Sequence, residues 1–455
     1  MPIGGWGNHP LQACRIARPE RLDDLRDLVK AKGPDGAPTQ ISRGLGRSYG
    51  DSALNPAGVI LHERLNRMLA FDPATGTLVC EAGVSLAEII DTFLPRGFFP
   101  FVTPGTKFVT IGGAIASDVH GKNHHHDGSF GNFVLGLRLL TACGEMLHCS
   151  PGENADVFWA TVGGMGLTGI IQSATIRLRA VPSAYIRMDI HRARDLDSAL
   201  ELFAAGDDAY RYSVAWIDCL ASGRSLGRSV LMRGDHAAAD DVPAIARSEP
   251  LAVRPRSSRS VPFNFPRFVL NPLSVHTFNH LYYASKRDDR QVVPLDSFFY
   301  PLDSIRKWNR LYGRRGFIQY QAFFPRHSGR RGLVDLLEQV SASGRPSFLA
   351  VLKSCGAADP ALLTYLDTGH TLALDLPWGD DIPGLLSKLD KTLLKYDGRL
   401  YLAKDACMNR QTFAAMYPNL SRFRQIKARL DPNGFFASSQ ARRVGIVDDT
   451  AVEVT

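Results

Sequence analysis

Two apolar periods alternate along the chain, and the places where one gives way to the other mark its elements. Leu86, Ile89, Ile90 and Phe93 fall on one helical face behind Ser85-Leu86-Ala87-Glu88, a capping box, and Pro95 and Gly97 end that helix. A second helix is predicted from Glu20 to Lys32, before Gly33-Pro34. Short apolar runs predict strands at Val59 to His62, at Arg67 to Phe71 with Thr77 to Cys80 around Asp72-Pro73-Ala74-Thr75-Gly76, and at Val134 to Thr141 with Glu145 to Cys149. Asp156 to Ala160 reads as a short helix. Beyond about Val181 the pattern becomes strand (Tyr185 to Ile190), helix (Asp195 to Ala205) and strand (Tyr210 to Cys219). A similar set follows: Phe317 to Phe323, helix Gly332 to Ser343, Ser347 to Lys353, His370 to Leu376, and helix Gly384 to Tyr396. Arg399 to Asp405 reads as a strand delivering Lys404 at its end, with helices from Gln411 and from Ser421 to Leu430. The expected class is α+β, with antiparallel sheet backed by helices.

Three glycine-rich stretches interrupt these elements. Ser42-Arg43-Gly44-Leu45-Gly46-Arg47-Ser48-Tyr49-Gly50-Asp51 has the spacing GxGxxxG, but Asn55-Pro56-Ala57-Gly58 follows and breaks any helix that a Rossmann turn requires. What remains is a run of small residues with two arginines, suited to a backbone N–H nest for a diphosphate. Thr103 to Asn132 is the second stretch, and the rest of the chain is organised around it. Gly112-Gly113-Ala114-Ile115-Ala116 is too small-sided to build core and suits backbone lying close to a flat or anionic group. His120-Gly121-Lys122-Asn123 and His124-His125-His126 set titratable groups beside it. Gly163 to Gly169, leading into Ile170-Ile171, is the third. Three such loops within 130 residues predict one extended ligand cradled along its length.

At 455 residues and 45% apolar content the chain can bury two or three cores. It has no run of eighteen apolar residues, and its N-terminus has no basic segment followed by an apolar one, so neither a membrane span nor a signal peptide is expected. Seven cysteines, an odd number without CxxC pairs, argue against a disulfide framework or a zinc ribbon and for a reducing compartment. The four histidines at 120 and 124–126 lack a carboxylate pair, so no metal is expected. A net charge of +8 favours acidic partners. Val253 to Arg290 reads as irregular, with Arg254, Arg256, Arg259, Arg267, Lys286 and Arg287 among Phe263, Phe265, Phe268, Tyr282 and Tyr283. That composition suits RNA, a membrane surface or a lipid phosphate, or else a solvated lid.

The three loops in this order, with strands after the first, resemble the vanillyl-alcohol-oxidase type of FAD-binding flavoenzyme. SRGLGRSYGD, TPGTKFVTIGGAIASDVHGKNHHHDGSFGN, DVFWATVGGMGLTGII, SFFYPLDSIRKWNRLYGRRGFIQYQ, RLYLAKDA, TFAAMYP and DPNGFFAS resemble the decaprenylphosphoryl-β-D-ribose 2-oxidases over nearly the whole chain. The resemblance implies a two-subdomain FAD-binding domain of the PCMH type from residues 1–184, completed by 399–455, and an antiparallel-sheet-plus-helices substrate domain at 185–398. It implies oxidation of the 2-hydroxyl of a polyprenylphosphoryl ribose, with a separate NAD(P)H-dependent ketoreductase completing the epimerisation to the arabinose donor. It also implies a cytoplasmic protein, peripheral at the inner membrane, with no nucleic-acid partner.

For the site, the resemblance implies FAD on the 42–51 loop, Gly105, Thr110, Ile111, Gly112, Gly113, Ser117, Asp118, Val119, His120, Ile170, Ile171 and Tyr401. His120 would pack on the isoalloxazine, with Tyr49 and Lys122 facing substrate. Gln319, Gln321, Lys353 and Tyr312 would bind sugar and phosphate. Alcohol oxidation by flavin needs a base for the hydroxyl proton and positive charge near the ring, and Lys404 could be either. Arg47 stands where related polyol and aldonolactone oxidases carry the histidine that attaches flavin, so the FAD is expected to be non-covalent. Ala373 stands where the family carries an inhibitor-reactive cysteine, and His126-Asp127 where small residues are more usual. Two alternatives remain: a free polyol, sugar or aldonolactone oxidase of the same fold, and a colourless basic nucleic-acid-binding protein using 253–290.

Overall fold

Ser85 opens the Leu86–Phe93 helix as its spacing dictates: its hydroxyl accepts from Glu88 N–H while the Glu88 carboxylate accepts from Ser85 N–H, and Gly97 leaves in a left-handed turn at φ +83°. The computed structural model describes residues 1–30, 39–252, 259–266, 269–345, 347 and 349–447. Among them the strands form two principal sheets and a small parallel one.

The parallel sheet is Ile16–Ala17, Val59–Leu61 and Ile41–Arg43. No helix lies between Ile41–Arg43 and Val59–Leu61, so the first glycine loop is a loop throughout and the Rossmann arrangement is absent. The second sheet runs in the order Met146–Cys149, Val134–Leu140, Ile170–Ala180, Thr77–Glu81, Met68–Asp72, with Phe98–Pro100 on the far end of Ile170–Ala180. The eight-stranded sheet runs Asp289–Pro294, Tyr185–Ala193, Ser229–His236, Tyr212–Ile217, Ala350–Cys355, Gly369–Pro377, Phe317–Pro325, Arg399–Leu400, antiparallel throughout. The Gly329–Ala342 and Ile382–Lys395 helices back it through Leu333, Leu336, Leu386 and Leu389, so that one face is core and the other is free to line a cavity. The expected α+β architecture is the one observed.

Several expected elements differ. Gly112 to Ala116 is not loop: Ile111–Ala116 is a short helix capped by Thr110, whose hydroxyl accepts from Gly113 N–H, and Ile111, Ala114 and Ile115 are fully buried. Its glycines face the cavity while its isoleucines build core. Arg399 to Asp405 is strand only over Arg399–Leu400; from Tyr401 the chain turns, with Lys404 N–H and Asp405 N–H both donating to the Tyr401 carbonyl. Residues 253–290 are not irregular throughout, since Pro272–Ser285 is a helix and Asp289–Pro294 a strand. Arg254, Arg256, Arg267 and Phe268 lie outside the described residues, as does the predicted helix end at Lys32.

The C-terminal Leu420–Leu430 helix is tied to the third glycine loop by one buried cation. Lys427 Nζ donates to the Leu167 carbonyl (3.1 Å), the Phe436 carbonyl (2.9 Å) and Asp431 Oδ2 (2.7 Å). Asp431 in turn accepts from the N–H groups of Phe435 and Phe436. Removing one partner of a buried pair leaves the other charge uncompensated. Lys427→Met is therefore expected to lower the stability of the protein by about 3–5 kcal/mol in denaturant titration.

Candidate active site

The first loop leaves the Ile41–Arg43 strand and turns through Gly46 at φ +64°. Among the described residues, the N–H groups of Gly44, Leu45, Gly46, Arg47 and Ser48 donate to no protein acceptor. Five adjacent donors without protein acceptors on one loop are what an anion nest requires. A Cβ at Gly44 would overlap the Thr110 side chain at the cap of the second loop, so the first loop lays its backbone directly on that side chain. The third loop closes the cradle with Met165 and Gly166 at φ +55° and +75°.

These loops and one face of the large sheet enclose a cavity of about 440 Å³. Ser42, Arg43, Gly44, Leu45, Gly46, Arg47, Ser48, Tyr49, Gly105, Thr110, Gly112, Gly113, Ser117, Val119, His120, Ile171 and Tyr401 line it, together with Lys122, Gln319, Gln321, Lys353 and Lys404. Gly50, Asp51, Ile111, Asp118, Ile170 and Tyr312 do not. Gly50 is pressed against the Asp405 backbone, and Asp51 is paired with Arg443 at 2.7 Å. Ile111 and Ile170 are fully buried in core. Asp118 is turned away from the cavity to accept from Gly131 N–H at 3.0 Å, and burial next to Asp359 pushes its carboxyl well above the usual range. Tyr312 stacks on Phe317 at 4.1 Å, behind Tyr49.

Three ammonium groups reach the cavity from three different elements. Lys122 comes from the second loop, Lys353 from the Ala350–Cys355 strand and Lys404 from the turn after Arg399–Leu400. Among the described residues none has a carboxylate within salt-bridge distance. Lys122 donates to the Phe298 carbonyl, and Lys404 Nζ stands 4.0 Å over the Tyr49 ring. Burial brings Lys122 down to about 7 and Lys353 to about 8. Burial also brings Lys404 to about 7, Asp375 opposing the fall and Lys353 adding to it. Asp375, fully buried in the Gly369–Pro377 strand, is pushed up to about 7 by burial against the hydrogen bond from Gln319 Nε2 (2.5 Å) and the charge of Lys404.

His120 is fixed differently. Gln321 Nε2 approaches His120 Nε2 at 2.8 Å and donates to Tyr365 Oη at 2.8 Å, and Tyr365 Oη lies 3.1 Å from the same ring nitrogen. Tyr365 stacks on Tyr401 at 4.4 Å, and Tyr401 donates to the Ser117 carbonyl at 2.6 Å. Burial, then Lys353, His124 and Lys404, hold the imidazole well below its ordinary value, so it is neutral. Gln321 thus spends its amide on His120 and Tyr365 rather than on the open cavity. Sequence reasoning missed Tyr365, which sits in a loop without periodicity. It also gave Asp375 no role, although a carboxylate inside the apolar run Leu372-Ala373-Leu374-Asp375-Leu376 was a usable signal.

The neighbouring histidines are held by protein groups. His124 Nδ1 accepts from Gly356 N–H (3.2 Å), His125 Nε2 lies 2.9 Å from the Tyr210 carbonyl, and Asp127 binds Arg179 (2.9 Å) and Arg211 (2.7 Å). Ala373 sits in the cavity wall, opposite Gln321 and Val351 in register. Arg47 lies 4.0 Å over the Trp6 ring and donates to the Phe108 carbonyl at 3.1 Å.

Comparison with known proteins agrees with this geometry. The family described as FAD binding domain matches residues 14–150, and that described as D-arabinono-1,4-lactone oxidase matches 384–444. The chain is 37% identical over 447 residues to the decaprenylphosphoryl-beta-D-ribose oxidase of Mycolicibacterium smegmatis, covering 97% of each. It is 24% identical to the L-gulonolactone oxidase of Bos taurus, over 94% of each chain. It is 25% identical to the L-gulono-1,4-lactone dehydrogenase of Mycobacterium tuberculosis, over 96% of this chain and 98% of that one. The unpaired loop donors and the glycine-lined cavity fit FAD. Closing the nest should prevent it from binding: Gly44→Val is expected to keep the far-UV circular dichroism and lose about tenfold or more in FAD affinity, read by flavin absorbance after desalting.

Proposed function

The chain belongs to the decaprenylphosphoryl-β-D-ribose oxidase family and is an FAD-dependent oxidoreductase, and from that premise we propose that it oxidises the 2-hydroxyl of a polyprenylphosphoryl-β-D-ribose to the 2-keto sugar. The observation that carries this reading is the trio of buried lysines that line the cavity with no carboxylate in salt-bridge contact among the described residues. The nest answers the cofactor's diphosphate; Lys122 and Lys353 answer a second anion, the phosphate of the substrate. Gln319 lies in the cavity wall to meet the sugar.

FAD, when bound, supplies the acceptor for the hydride leaving the sugar carbon. Lys404 takes the hydroxyl proton as a neutral amine, since its depressed pKa frees its lone pair near neutrality. His120 is the poorer base because its Nε2 is committed to Gln321 and Tyr365; it serves as a fixed neutral wall. Tyr49 supports Lys404 through its ring face. Residues 1–184 with 399–455 act as the flavin-binding part and 185–398 as the substrate-binding part. The FAD is held without a covalent bond, Arg47 occupying the attachment position. A separate NAD(P)H-dependent ketoreductase reduces the 2-keto product, giving the arabinose epimer used in cell-envelope polysaccharide. The protein works from the cytoplasmic side as a peripheral partner of the inner membrane; no helix among the described residues is long and apolar enough to cross it.

A second reading, oxidation of a free aldonolactone or polyol, is favoured by the lactone-oxidase match at 384–444. Turnover separates the two. The phosphoribose reading expects prenylphosphoryl ribose to reduce the flavin with kcat/KM at least about a hundredfold above free ribose, alditols or aldonolactones, the scale of two charge-assisted contacts. Equal rates on a free lactone would make the second reading the correct one.

The role of Lys404 sets a pH dependence. Its pKa in the folded protein lies below the ordinary 10.5, so the base form is lost as pH falls through about 7. Flavin reduction by substrate should rise with pH to a plateau above about 7, the limb belonging to the Lys404–Asp375 pair jointly. Lys404→Met is expected to retain FAD, slow reduction by about 10²–10⁴ and abolish that limb in anaerobic stopped flow. An unchanged rate would pass the base role to His120.

A further inference from the structure

The Pro272–Ser285 helix has too little packing beneath it for its length. Asn271 caps it, its side chain accepting from Ser274 N–H at 3.0 Å, yet only Val275 and Asn279 of its fourteen residues are buried. Asn279 donates to Asp218 Oδ1 at 2.7 Å. Isolated helices of this length are marginal in water, and most helical stability in proteins comes from burying an apolar face. His, Thr, Asn, Tyr and Ser, which make up much of this one, are weak helix formers. The helix therefore calls for a second surface.

Its two sides differ in what they offer. On the protein side Tyr282 packs on Trp216 at 4.7 Å, and both rings line the active-site cavity. On the opposite side Leu273 is 75% exposed and Leu281 62%. At about 100° per residue, Leu273, Thr277 and Leu281 span a quarter turn whose centre lies diametrically opposite the Val275–Asn279–Tyr282 face. Phe263, 61% exposed, adds apolar surface from the preceding segment. The helix carries no acidic residue and leads into Lys286 and Arg287. The two aspartates that follow are engaged, Asp288 by Arg192 N–H (2.9 Å) and Asp289 by Gln291 (2.8 Å).

We propose that this helix is the membrane-contact element of the protein. It lies in the surface of an anionic bilayer with Leu273 and Leu281 in the acyl boundary, and its other face, Tyr282 with Trp216, admits a prenyl chain from the bilayer to the cavity. The match is one of chemistry: exposed aliphatic side chains without acidic neighbours suit the headgroup–acyl boundary, with Lys286 and Arg287 set for lipid phosphates. A helix of fourteen residues, about 21 Å long, lies along such a surface rather than across it. This assignment rests on the prenylphosphoryl substrate proposed above for the handing-over of the chain, but not for the contact itself.

Flotation with vesicles of phosphatidylcholine and phosphatidylglycerol in equal parts tests it on the FAD-loaded full chain. The wild type is expected to float with the vesicles, and Leu273→Ser/Leu281→Ser to bind at least about tenfold more weakly, as the loss of two aliphatic anchors implies. Leu69→Ser, another exposed leucine on the Met68–Asp72 strand, should float like the wild type. The double variant should oxidise a water-soluble short-chain prenylphosphoryl ribose at the wild-type rate and lose rate only on vesicle-embedded substrate. Failure of the wild type to float, or equal flotation of the double variant, overturns the assignment. So does a concentration-dependent dimer that the double variant abolishes while flotation persists, since the leucines would then face a second copy. If the wild type leaves the short-chain substrate untouched, the substrate reading fails, while flotation still decides the helix.

Discussion

Bringing Lys122, Lys353 and Lys404 into one cavity without a carboxylate in salt-bridge contact is costly, because each loses hydration and Lys353 repels both of the others. The depressed pKa values record that cost. A chain that only had to fold would replace such lysines with apolar residues or pair them. Holding them therefore constrains the architecture: they must come from elements stiff enough to resist separation and must leave room for an anion between them. The large sheet meets that condition with Lys353 in a central strand. The turn after Arg399–Leu400 meets it through Asp405, which accepts from the N–H groups of Cys407 (3.0 Å) and Met408 (2.8 Å) and binds Arg443 at 2.9 Å. Lys404 is thus aimed by its neighbour rather than by a strand.

The same logic explains the hydrogen-bonded polar groups that surround the cavity. Asp51 and Asp405 share Arg443, which ties the end of the first glycine loop to the C-terminal segment. Gln321 and Tyr365 hold His120 in one orientation, and Thr371 Oγ1, donating to the Ala322 carbonyl at 3.0 Å, closes that network against the sheet. A satisfied network of this kind locks ring positions that packing alone would leave free to hop. The catalytic geometry is in this sense set from behind.

Much of this was legible in the residues. The capping box at Ser85, the hairpin at 68–81 and the first and third glycine loops carry their own local signals, turn chemistry and cap spacing, and folded as read. The failures have physical causes. Ile111–Ala116 was obscured because small residues serve two ends at once, core on one face and cavity on the other. Arg399–Leu400 was read too long because Tyr401-Leu402-Ala403 is apolar for burial, not for pairing. The Pro272–Ser285 helix lacks the apolar stripe that betrays a helix, since its buried face contains an asparagine. Tyr365 and Asp375 matter only through side chains brought from far along the chain, and such contacts leave no periodic trace.

The lysines also bear on how binding and chemistry are linked. In the ligand-free protein burial first, and Lys353 after it, lower the affinity of Lys404 for a proton, so Lys404 is a weak base. On the proposed reading, a substrate phosphate beside Lys122 and Lys353 would offset the smaller of these two causes, the charge of Lys353. Its own negative charge then favours protonated amines throughout the cavity. Proton affinity at Lys404 would then rise on substrate binding, so the neutral amine that takes the proton would be populated at higher pH in the complex than in the free protein. Asp375, buried and short of one hydrogen-bond partner, acts in the same direction. Anion binding by one part of the substrate would in this way strengthen the base proposed to act on another part. Binding energy from the phosphate would thereby act on the reacting centre rather than on affinity alone.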